Sequence, residues 1–171
     1  FVSGTSEAPI ELVAIEPGVV VSGGINVRPG THHLRLQGLQ IEAPGQWGVA
    51  LWGDNGDVVL SDLRITGGEV GVRLTVGDPA GAAVLGPISG VVIERTTVRD
   101  SEIAGVACAP GPCTELVLSD VEVVGSGGVG IEIAGAGVVI EGSRIADSGG
   151  DGVVVRHLLP DVAGDPLEPR L

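Results

Sequence analysis

Between Leu34 and Val155 one pattern of apolar columns returns five times, and no other feature restricts the fold so tightly. Segments beginning at Leu34, Val58, Val91, Leu116 and Val138 align so that one column reads Leu36, Leu60, Ile93, Leu118 and Ile140. Five residues on, a second column reads Ile41, Ile65, Val98, Val123 and Ile145. After a short turn, a glycine column (Gly48, Gly71, Gly105, Gly130, Gly152) precedes the pairs Val49/Leu51, Val72/Leu74, Val106/Cys108, Ile131/Ile133 and Val153/Val155. Apolar residues alternate with period two inside each segment, as strands with one buried face require. A single such unit cannot bury its apolar face, so the repeats must stack and fold together, with neighbours about 4.8 Å apart.

The predicted fold is therefore all-β: a right-handed, single-stranded parallel β-helix (solenoid) of about five to six coils. Residues 32–157 give five coils, residues 1–31 an incomplete leading coil, and residues 158–171, with Pro160, Pro166 and Pro169, an irregular tail. Composition agrees. Aromatic residues make up only 2% while glycine numbers 30, which suits thin layers of small branched side chains. Asp62 and Asp120 fall where the first strand bends into the second, and Gly38 and Gly142 take that place in other coils, so unusual backbone angles are expected there.

This pattern resembles the right-handed parallel β-helix repeat of the pectin-lyase-like superfamily over about three quarters of the chain. Upstream, Ser3-Gly-Thr-Ser-Glu-Ala-Pro-Ile10 through Glu16-Pro-Gly18 to Gly23-Gly-Ile25 looks like the leading segment of secreted polysaccharide-lyase-like β-helix proteins. In that family a further coil and a cap precede this segment. The resemblance therefore implies a piece of a longer exported protein, secreted or at the cell surface, with lyase or epimerase chemistry among the expectations. A chain starting at Phe1 without an initiator Met fits that expectation.

In the superfamily, substrates lie along the outward face of the strand that follows the glycine column. Here those outward positions are Ala50, Arg73, Ala107, Glu132 and Val154. Arg73 and Glu132, separated by Ala107, are candidate sugar contacts, against the alternative of two solvated surface charges. Trp47 and Trp52 are the best sugar-stacking candidates by chemistry, with packing over the end of the rod as the alternative. No catalytic residue is assigned. β-Elimination on a uronic acid polymer needs a base and something to neutralise the carboxylate. The second-strand outward column, Gln40, Arg64, Thr97, Glu122 and Arg144, instead mixes signs as ordinary cross-strand compensation does.

A Ca²⁺ cofactor is compatible with the resemblance, but Asp54, Asp57, Asp100, Asp147 and Asp151 scatter over turns, so no metal ligands are assigned. Neither the Asn-Thr-Asp nor the Gly-His-Gly stretch of the pectin-hydrolysing β-helix enzymes occurs. His32, His33 and His157 fall at opposite ends of the rod. Gly127-Gly-Val-Gly-Ile-Glu-Ile-Ala134 approaches a calcium-binding nonapeptide, yet it occurs once and a β-roll needs it in tandem.

Cys108 and Cys113 bracket Ala-Pro-Gly-Pro, a turn tight enough for a disulfide, although Cys108 also belongs to an inward column where a free thiol would pack. Val59, Val92, Val117 and Val139 form an outward apolar column, a candidate contact for a protein partner or another rod. With no Lys and a net charge of −13, sequence-independent binding to nucleic acid or an anionic membrane is disfavoured. No apolar run is long enough to insert into a membrane. The leading expectation is a β-helix module that binds or processes an extracellular polysaccharide. The competing one is a non-catalytic structural or adhesive rod.

Overall fold

Strand pairing turns the sequence columns into hydrogen-bonded ladders. The computed structural model describes residues 3–77 and 85–156, and these form an all-β parallel β-solenoid of about six turns with no helix among them. Residues 10–27, upstream of the five repeats, supply β1 (Ile10–Val13), β2 (Val20–Ser22) and β3 (Ile25–Val27), one strand for each of three positions in a coil. The second coil holds β4 (His32–Gln37), β5 (Gln40–Glu42) and β6 (Trp47–Trp52), and the third β7 (Gly56–Ser61), β8 (Arg64–Thr66) and β9 (Val70–Thr75). β10 (Ile88–Glu94), β11 (Thr97–Arg99) and the start of β12 (Ala104–Ser119) make the fourth. The rest of β12 with β13 (Glu122–Val124) and β14 (Val129–Ala136) makes the fifth, and β15 (Val139–Glu141), β16 (Arg144–Ala146) and β17 (Val153–Arg156) the sixth. His157 and the expected irregular tail 158–171 lie outside the described residues.

The second-position strands stack as one parallel sheet, β2-β5-β8-β11-β13-β16. First- and third-position strands belong to a single eleven-stranded sheet because β12 runs through the corner that joins them. The register is the one the columns require. Leu36 pairs with Leu60, Leu60 with Ile93 and Ile93 with Leu118, while Ile41, Ile65, Val98, Val123 and Ile145 line up in the second sheet. These side chains form one continuous core, almost wholly buried in the middle coils.

The glycine column answers a packing need. A Cβ on Gly71 or Gly105 would lie 2.2 Å from a methyl of Val98 or Val123 in the next coil, so a side chain there would displace the core. Trp47, Val70, Ala104 and Val129 precede the glycines, and they pair with one another along the coils.

The first bend follows an equally regular rule. Gly38, Asp62, Arg95 and Asp120 each donate their backbone N–H to the neighbouring coil, and each has a positive φ, as does Gly142 in the last coil. Short polar side chains and glycine were expected at this bend; Arg95 was not. Its guanidinium reaches back to Asp62 at 2.8 and 3.1 Å, which holds the long side chain against the same column. One residue on, Thr96 and Ser143 accept the N–H of Leu63 and Val121 and donate to the carbonyls of Glu94 and Glu141. These hydroxyls satisfy backbone groups that the bend takes out of the ladder.

Candidate functional site

The third-strand positions bring most of the sequence candidates onto one lateral face. Asn26, Ala50, Arg73, Ala107, Glu132 and Val154 follow one another in register, one per coil. Glycine's inward turn leaves the residue before it pointing outward, so Trp47 projects onto this face and packs against Val70, Ala104 and Ala107. Small side chains make the recess. Ala50 is 0% and Ala107 3% exposed although both stand at outward positions, and Trp47 packs against Ala107.

Arg73 places its guanidinium carbon 5.6 Å from the centroid of the Trp47 ring, a cation–π arrangement. Trp52 meets Trp47 edge-on at 5.2 Å and donates its indole N–H to Asn26 Oδ1 at 3.3 Å. The two tryptophans therefore pack on the side of the solenoid and not over its end. Trp52 is 7% exposed, which leaves it no open ring face, whereas Trp47 keeps accessible area. Trp47 and Arg73 form the accessible part of the site, and Trp52 supports them from below.

Glu132 is less available. Its carboxylate accepts a hydrogen bond from Arg156 Nε in the next coil, so it does not pair with Arg73. The two candidates stand two coils apart, roughly 9.6 Å at ordinary strand spacing, with only the Ala107 methyl between them. Similar compensation operates on the second sheet, where Glu122 holds both Arg99 and Arg144. Arg64 beside them has no carboxylate partner among the described residues and borders shallow depressions on both sides.

Among the described residues, no three His, Cys, Asp or Glu side chains converge in a group that could hold a metal ion. Asp62, Asp100, Asp120 and Asp147 all have positive φ, which identifies them as turn formers. His33 Nδ1 lies 3.5 Å from Asp57 Oδ2 on a different face of the solenoid.

Cys108 and Cys113 are joined as a disulfide, with Cα atoms 6.2 Å apart and both residues buried. The bond does not pull Cys108 out of its column, because Cys113 is itself an inward residue, paired with Ile88.

Asn55 was missed by the sequence reading. It is 1% exposed, donates to the carbonyl of Val27 and accepts the N–H of Thr31 at 2.8 Å, pinning the turn after Trp52 to the coil below. Only its position within Trp52-Gly-Asp-Asn-Gly56 hinted at this, since Asn is common in turns for several reasons. No family model, curated protein or solved structure matches this chain. The parallel β-solenoid therefore rests on this chain's own residues and strand pairing.

Proposed function

We propose that this chain is a β-helix module of an exported protein of pectin-lyase-like descent, and that it binds an extracellular polysaccharide along the third-strand face. The Trp47–Arg73 pair carries this reading. It offers an apolar ring edge and a planar set of donors above low-relief alanines, which suits the mixed apolar and hydroxyl surface of a sugar. Binding is favoured over processing because Glu132, the carboxylate among the outward third-strand positions, is compensated by Arg156. Lyase or epimerase chemistry would need residues beyond this constellation.

The test is glycan binding by calorimetry on neutral and uronic acid polysaccharides, run beside an ultraviolet assay for unsaturated products. Binding without product formation, weakened about tenfold by Trp47→Ala (the equivalent of about 1.4 kcal/mol), is the expected result. Binding that ignores Trp47→Ala would move the site elsewhere. Absence of any binding would favour the second reading, a structural or adhesive rod, for which the valine column is the supporting observation.

A further inference from the structure

The first-strand sheet presents a surface that polysaccharide binding does not use. Glu11, Arg35, Val59, Val92, Val117 and Val139 follow one another in register on its outward side. Glu11 and Arg35 close one end of the column with an ion pair. From Val59 onward it is an unbroken aliphatic stripe, partly covered in the middle coils and 47% exposed at Val139. Four valines at about 4.8 Å spacing extend over roughly 14 Å.

The borders of the stripe are acidic. Asp57 and Glu115 stand at the positions before it, Glu94 and Glu141 two residues after it, and Asp62 and Asp120 at the following bend. Arg95 answers only Asp62 and Glu94. A second copy of the chain would bring the same carboxylates together and carries the same net charge of −13, so self-docking is opposed.

We infer that this stripe is the docking surface for a cationic amphipathic helix of a partner protein. A helix rises 5.4 Å per turn, so fewer than three turns cover the stripe, with one aliphatic side chain near each valine and Lys or Arg reaching the acidic borders. The valines supply apolar contact and the carboxylates set the sign of the partner and speed its approach.

The test uses the full chain and a synthetic helical peptide of Leu and Lys with Leu on one face, followed by fluorescence anisotropy, with a scrambled peptide of equal charge as control. Val92→Lys and Val117→Lys both point outward, and circular dichroism checks that each retains the fold. Expected are binding of the patterned peptide that falls at least tenfold in either variant, and that weakens with salt, with little binding of the scrambled control. Equal binding of both peptides, or indifference to both substitutions, overturns the inference, and the latter is also what a stripe covered by another part of the chain would give. Self-association in sedimentation that the Lys variants abolish overturns it in favour of a second copy.

Discussion

Asp62, Arg95 and Asp120 adopt left-handed backbone angles that cost an ordinary L-residue about 1–2 kcal/mol, and each gains an inter-coil hydrogen bond in return. Asp62 adds charge to this. Hydrogen bonds from Arg95 hold its carboxyl below the ordinary aspartate value, against the opposing effect of partial burial and with help from Gln37. A carboxyl with a depressed folded pKa contributes stability above its unfolded pKa and loses it as pH falls through the folded value. Asp62→Asn, which keeps the tolerance for that backbone, should therefore lower Tm slightly near neutral pH, and the difference should close as the pH falls below the ordinary aspartate value of 3.8 and through the lowered one. Thermal scans across that range would show it. A gap that persists in acid would mean the charge is not what Asp62 contributes. The Cys108–Cys113 bond closes a short loop, so the Cys108→Ala, Cys113→Ala double variant should lose about 2 kcal/mol in urea unfolding.

At the scale of strands, the glycine column offers an internal comparison. Gly105→Ala would set a methyl 2.2 Å from Val123 Cγ1 and 2.9 Å from the Gly130 carbonyl, and should cost about 1–3 kcal/mol by urea unfolding. Gly152→Ala in the last coil meets only Ile145 Cγ2 at 3.8 Å and should change stability by no more than about 0.5 kcal/mol. Equal losses at both positions would show that backbone freedom, and not close approach, explains the column. The face bearing Trp47 depends on the same glycines. Their inward turn directs the preceding residue outward, so a change at Gly48 would also displace Trp47, which the alternation rule alone would have buried.

Across the whole solenoid, each coil contacts only its neighbours, so protection should follow position along the axis. Leu60, Ile93 and Leu118 in the middle coils are 0% exposed, whereas Leu12 in the first coil is 47% and Val155 in the last 74% exposed. Hydrogen exchange should accordingly be slowest in β7, β10 and the later part of β12, and fastest in β1 and β17. Uniform protection would require that both terminal coils be covered by something further. With a charge of −13, moderate salt should raise Tm by screening self-repulsion.

The sequence by itself determined the solenoid. Period-two alternation and columns of Leu, Ile and Val leave only a stacked register that keeps every apolar face dry, and a slip by one residue would turn each strand inside out. It also fixed which residues share a column, because one residue per coil makes that a matter of alignment. Alignment carries no information about what a long side chain does after leaving the backbone. Only the tertiary structure decided that Glu132 turns to Arg156, that Arg73 lies over Trp47, that Trp52 is covered and that Asn55 clips two coils together. Each depends on the shape of neighbouring coils and on side-chain torsions that the repeat leaves free.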